Sequence, residues 1–194
     1  MKKLLLLVEH LWPGVTDEFK KALQDALVRE ERQKKSSILQ EGQIAHRIYF
    51  VEEGYLRGYY LKNGEDLSTW FMKKDDFVIS IISFYTQTPS EEHIETLEDC
   101  ILWSISYDSL HELYQQFPEF NLVGRVLTEK YYVLSEQRTQ NLRKKTTTER
   151  YLHLVSTFPD ISDHVSLKHI ASYLGITSET LSRLRGKKWK NRTI

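Results

Sequence analysis

Apolar residues recur along this chain with two different periods, and the places where the period changes divide it into three parts. From Thr16 the step is close to four: Phe19, Leu23 and Leu27 form one stripe, and Asp17 and Glu18 suit a first turn capped by Thr16. A helix is predicted there. After the basic stretch Arg29 to Lys35, which reads as a connection, short apolar runs rich in Ile, Val, Tyr, Phe and Trp follow as far as Ile105. Strands are predicted over 38–39, 48–51, 55–61, 67–72, 77–84, 93–97 and 101–105. Turns fall at Glu41-Gly42, Glu53-Gly54, Asn63-Gly64 and Asp75-Asp76, of which Asn-Gly between two apolar runs is the strongest hairpin signal. So many short strands predict a closed or sandwich-like antiparallel structure, a β-roll.

The helical period returns at Ser106, with Leu110, Leu113, Tyr114 and Phe117 in one stripe that stops at Pro118. A helix over about 119–145 follows, in which Val123, Leu127, Tyr131 and Leu134 fall at spacings of four, four and three. At 1.5 Å per residue it spans roughly 40 Å. Dimerisation through that stripe is the use its length favours, and packing lengthwise on the β body of its own chain is the alternative. Thr146 to Glu149 form a capping box that starts a further helical unit. The expected fold class is therefore α+β: a jelly-roll-like β-roll (1–118), a long dimerisation helix (119–145) and a small helical domain (146–194).

The last of these holds the stretch with the most chemistry, LKHIASYLGITSETLSRLR, from Leu167 to Arg185. Ile170, Ala171 and Leu174 share one helix face, Gly175 sits in a turn, and Leu181 and Leu184 line one face of a second helix. Ala171 is small enough for a steep crossing, and Gly175 tolerates positive φ. This is the spacing of a helix-turn-helix, with Ser166 and Thr177 as caps. Thr177, Ser178, Glu179, Thr180, Ser182 and Arg183 then form an exposed polar face of the size that reads base edges in a major groove.

Charge strengthens that reading. Residues 144–194 hold 10 Lys/Arg against 4 Asp/Glu, whereas residues 1–143 hold 17 against 23, so the overall balance of zero conceals a basic C-terminal part on an acidic body. Lys187 and Lys188 extend the basic part toward phosphates. The single cysteine, Cys100, excludes an internal disulfide and a thiolate-held cluster. The seven histidines form no metal-ligand spacing, no catalytic motif is present, and neither a metal nor a cofactor is expected. The run MKKLLLLVEHLW is broken by Glu9 and His10, so it reads as a core helix rather than a leader. No later run has the roughly 20 apolar residues of a membrane span, and a cytoplasmic protein without membrane contact is expected.

A β-roll, a long helix and a C-terminal helix-turn-helix in this order resemble the Crp/Fnr transcription regulators over nearly the whole chain. Gly42 in LQEGQ, Gly54 in IYFVEEGYLRGYY, Asp76-Phe77 and HIASYLGITSETLSRLR carry the resemblance. It implies a homodimer that binds double-stranded DNA under the control of a small-molecule effector. It places the family's base-reading Arg, Glu and Arg on Ser178, Glu179 and Arg183, so the first guanine reader is replaced by a hydroxyl. The residues after Arg185, GKKWKNRTI, are too few for the family's usual wing hairpin.

The resemblance also places the cyclic-nucleotide cassette on Ser80, Ser90 and Glu91. No guanidinium remains for a phosphate there, so cyclic AMP is not the expected effector. Trp70, Phe71, Ile81, Ile82 and Ser83, with Ser80, Ser90 and Glu91, are the candidate lining of a different effector pocket, although the same apolar residues suit a packed core. The alternative function is an effector-blind protein-interaction module with a vestigial helix-turn-helix.

Overall fold

The structure, a computed structural model, describes the backbone of residues 1–190 and the side chains of residues 1–186. Two helices come first, α1 (Lys2–Leu11) and α2 (Asp17–Ala26), the second capped by Thr16 Oγ1, which accepts the Phe19 N–H at 3.1 Å. Eight strands follow, interrupted once: β1 (Val28–Arg32), β2 (Ser37–Leu39), β3 (Arg47–Glu53), β4 (Leu56–Lys62), β5 (Glu65–Met72), β6 (Phe77–Val78), helix α3 (Ile81–Thr86), β7 (His93–Thr96) and β8 (Cys100–Ser106). The helical part comprises α4 (Tyr107–Gln116), α5 (Phe120–Lys144), α6 (Thr147–Thr157), α7 (Ile161–His164), α8 (Leu167–Leu174) and α9 (Ser178–Lys190).

The strands form two antiparallel four-stranded sheets, in the orders β1-β8-β3-β6 and β2-β7-β4-β5. The roll is thus an α+β sandwich with open edges and not a closed barrel. Asn63 and Gly64 both take positive φ, +53° and +81°, and set the β4–β5 hairpin with Lys62 opposite Glu65, as a type I′ turn requires. The main core draws on both sheets and on α1, α2, α4 and α5, and in it Phe19, Val51, Leu56, Val78, Phe84 and Leu102 are fully buried.

Two elements differ from the sequence-based expectation. The run 77–84 is not one strand: β6 stops at Val78, and α3 turns Phe84 inward at 0% exposure while Ile82 stands 75% exposed. An unbroken apolar run carries no period that would separate helix from strand. The segment expected to be a connection contains β1, whose VREER sequence pairs with β8 at the edge of a sheet. Charged residues are a common protection for such edges, and they erase the apolar alternation that reveals interior strands.

A second core cluster joins the roll to the C-terminal helices. It combines Tyr55, Phe71 and Leu97 from the roll with Leu154, Ile161, Val165, Ile170, Ala171, Leu174 and Leu181.

Candidate functional site

The pair α8 and α9 is built as its sequence requires. Ser166 Oγ accepts the His169 N–H at 3.3 Å and starts α8. Gly175 ends it in the left-handed conformation (φ +67°, ψ +39°), and the Ile176 N–H returns to the Ala171 carbonyl at 3.0 Å. Thr177 Oγ1 accepts the Thr180 N–H at 3.3 Å and starts α9. The Glu179 carboxylate accepts from its own backbone N–H and from the Thr177 hydroxyl, which hold it below the usual carboxylate range.

Leu181, at 0% exposure, seats α9 against Ile170, Ala171 and Leu174. That leaves Ser178, Glu179, Ser182 and Arg183 exposed, with Thr180 half-buried beside them. Arg183 Nη2 donates to Thr180 Oγ1 at 3.2 Å, which holds the guanidinium along the helix surface. Lys187 and Lys188 have side chains outside the described residues, as do Trp189, Lys190 and Arg192.

While α9 presents its face outward, α8 is clamped to the outer face of the β4–β5–β7 sheet. Arg57 on β4, with 4% of its side chain exposed, donates to Glu95 Oε1 (2.7 Å), Asp66 Oδ2 (2.6 Å), Ser68 Oγ (3.1 Å) and His169 Nδ1 (2.7 Å). Ser172 on α8 adds a two-way bridge, accepting from the Ser68 N–H and donating to the Asp66 carbonyl, both at 2.9 Å. Burial pushes the Asp66 carboxyl up, but hydrogen bonds from Lys168 and Arg57 outweigh it and hold the carboxyl down at about 2. Further along, Tyr55 Oη donates to Asp160 Oδ1 at 2.6 Å, and its ring stacks on His164, whose Nδ1 meets Glu98 Oε2 at 2.7 Å. No motif marked these residues. Arg57 stands where strand alternation places an outward residue, and a covering helix from another part of the chain leaves no local signal.

Because a guanidinium can only donate, His169 Nδ1 must be the acceptor, so the imidazole is neutral. Burial first, and then the Arg57 charge, hold its pKa below the usual histidine value. The unfolded chain therefore binds this proton more tightly, and the wild type is expected to lose stability relative to His169→Gln as pH falls below about 6.5, by up to about 1.4 kcal/mol per unit. Above that pH the two should differ by a constant amount. Urea titrations of both proteins between pH 5 and 8 check this, and parallel stability curves across that range would exclude the buried neutral histidine.

The stripe on α5 is divided between uses. Val123 is 1% exposed in the main core, Leu127 packs against it, and Tyr131 Oη accepts the Phe77 N–H at 2.9 Å, so these three face their own roll. Leu134 is 40% exposed. On an adjoining face of the helix, roughly 100° round from that stripe, Leu122 and Val133 are exposed and Val126 half-buried, at intervals of four and seven. The ideal helix repeat of 3.6 admits both stripes, and a run of apolar residues along it does not say which one meets the roll.

The residues named for an effector pocket are likewise dispersed. Phe71 packs on Tyr173 of α8, and Trp70 lies beneath Arg138 of α5. Ser83 Oγ accepts the Ala45 N–H and donates to the Thr88 carbonyl. Ile81, Ile82 and Glu91 are exposed. Ser80 and Ser90 are buried together, their hydroxyls 3.2 Å apart. Burial raises the neighbouring Glu92 carboxyl above its usual range against a hydrogen bond from Ser80.

Of the named set only Ser80 reaches the cavity of about 520 Å³ inside the roll, whose apolar walls are Ile38, Leu39, Ile44, Val78, Ile79 and Ile94. Among the described residues no three His, Cys, Asp or Glu side chains converge as a metal set, and no helix is long and apolar enough to cross a membrane.

Residues 29–117 match the cyclic nucleotide-binding domain family. No curated protein matches the chain. Among solved structures the chain is similar to FixK2 from Bradyrhizobium japonicum, at 23% identity over 85% of each chain with a TM-score of 0.70. It is similar also to a protein from Eubacterium rectale assigned to the Crp/Fnr family of transcriptional regulators (19% identity, 90% and 83% coverage, TM-score 0.70). The c-di-GMP-responsive global regulator CLP of Xanthomonas campestris matches at 19% identity over 91% of this chain and 93% of its own, with a TM-score of 0.63. At these identities the likeness establishes a shared fold: roll, long helix and terminal helices in one order.

Proposed function

We propose that the chain is a sequence-specific, DNA-binding transcriptional regulator of the Crp/Fnr type, a cytoplasmic homodimer with no enzymatic activity, whose roll senses an effector other than cyclic AMP. In this reading residues 1–118 are the effector part, 119–145 the dimer helix and 146–194 a helix-turn-helix domain. The observation that carries it is the face of α9: a helix anchored by buried Leu181 that leaves Ser178, Glu179, Ser182 and Arg183 in water. Short polar groups and one guanidinium near a helix N-terminus fit a major groove. The basic balance of residues 144–194 suits phosphates on either side.

Leu122, Val126 and Val133 on one face of α5 supply an apolar seam for a second copy, with exposed Leu134 on the adjoining stripe beside it. The seated and paired Ser80 and Ser90 offer a cyclic phosphate no positive charge.

Arg183→Ala tests the reading with little risk to folding, since the side chain is exposed. Binding to a selected operator should weaken by about 1–3 kcal/mol, with relaxed preference at one base pair per half-site. Gel-shift titration against the operator and its single-base variants measures both effects. Unchanged affinity and preference would remove α9 from the base-reading role.

A further inference from the structure

The roll cavity contains one positively charged group with unused donors, and it lies on β3, away from the segment where the cyclic-nucleotide cassette falls. Arg47 lines the cavity with two-thirds of its side chain covered. Its Nε donates to Ser104 Oγ at 2.9 Å. Ser104 in turn donates to Glu30 Oε1 at 2.5 Å, and the other oxygen of Glu30 pairs with Arg32. This chain fixes the guanidinium plane through Nε alone. Nη1 and Nη2 make no hydrogen bond to another described residue, so the end-on fork of Arg47 is left open. Tyr49, two residues along the same strand face, also lines the cavity, and its hydroxyl makes no hydrogen bond to another described residue.

The local charge permits an anion. Arg32, Glu30 and Arg47 together carry one net positive charge, and Glu30 is already engaged by Arg32 and Ser104. A guanidinium with Nε held and both Nη groups free matches a carboxylate through two parallel hydrogen bonds. Most of the remaining walls, including Leu39, Val78 and Ile94, are apolar, with Gln43, His46 and Ser80 the polar exceptions, and they favour a hydrocarbon body over a sugar. Ser80, the one cavity residue from the cassette, already faces Ser90 and Glu92.

We propose that the roll binds an organic monocarboxylate, with its carboxylate on the Arg47 fork beside the Tyr49 hydroxyl and its apolar body between the two sheets. The proposal rests on the reading of the roll as the effector part, but binding to the protein alone tests it without DNA. Titration calorimetry of the full chain with benzoate, phenylacetate, octanoate and decanoate is expected to find at least one acid with Kd below about 1 mM. Its amide should bind about tenfold or more weakly, and Arg47→Gln should lower affinity for the acid by about the same factor while leaving the amide unchanged. Arg47→Lys, which keeps the charge and loses the fork, should fall between.

In the native protein, the guanidinium nitrogen resonances of Arg47 should shift on addition of the acid, which keeps the test independent of how the variants fold. No binding by any of the four acids at about 10 mM, acid binding that survives Arg47→Gln, or preferential binding of cyclic AMP overturns the proposal. Operator binding measured without added acid reports separately on the DNA-binding function.

Discussion

Arg57→Leu is expected to lower the free energy of unfolding by about 3–5 kcal/mol, the usual cost of removing one partner from a buried charge network. The guanidinium is almost wholly covered and is shared by Asp66 and Glu95, whose side chains are 14% and 23% exposed. Leucine would leave Glu95 without its guanidinium donor and Asp66 with Lys168 alone, at 3.0 Å, and Ser68 and His169 would lose theirs. Neutralising the acceptors as well should recover much of the loss, because the cost lies in the uncompensated charges rather than in the missing attraction. Urea unfolding of Arg57→Leu and of the triple variant with Asp66→Asn and Glu95→Gln makes the comparison. A loss below about 1 kcal/mol in the single variant would mean that the network is hydrated and behaves as a surface ion pair.

Gly54→Ala should be of comparable size for a steric reason. Gly54 has φ +102°, and a Cβ added there would lie 2.4 Å from Cys100 Sγ, 2.8 Å from the Asp99 carbonyl oxygen and 3.0 Å from Cys100 Cα. Two of those neighbours are backbone, and the third is a thiol that burial pushes up to about 12, a neutral group fixed in the core. Backbone strain and overpacking together predict a loss of about 3–5 kcal/mol. Gly42→Ala is the matched control: φ is +85° but nothing lies within 4 Å of the new Cβ, so strain alone should cost about 1–2 kcal/mol. Equal losses at the two positions, measured by the same urea titration, would show that close approach at Gly54 contributes nothing.

Legibility in the sequence followed how local the cause was. The capping box at Thr146 and Glu149, the Asn63-Gly64 turn and the Gly175 break each depend on residues within a few positions of one another, and each is present. The spacing of Ile170, Ala171, Leu174 and Leu181 anticipated the buried face of α8 and α9 for the same reason. What could not be read depended on surfaces that meet across long separations. Arg57 and His169 are 112 positions apart, and Tyr55 and Asp160 are 105 apart, so nothing near either partner announces the other. Along α5 the apolar residues were visible, but which of two stripes meets the roll is decided by Phe77 and the main core. The pocket assignment from positions 70–71, 80–83 and 90–91 met the same limit, since a cavity between two sheets draws its walls from β2, β3, β6 and β7 and takes only Ser80 from that set.

The proposed function stands on two copies of α9 reading DNA together. Selection of binding sites from random duplex DNA, run with the purified chain alone and again in the presence of cell extract, tests it most directly. The proposed function predicts an enriched inverted repeat, with half-sites about one helical turn or a multiple apart, whose inner bases change when Arg183 is replaced by Ala. Failure of both selections to enrich any sequence, or enrichment of a site indifferent to Arg183, would contradict it.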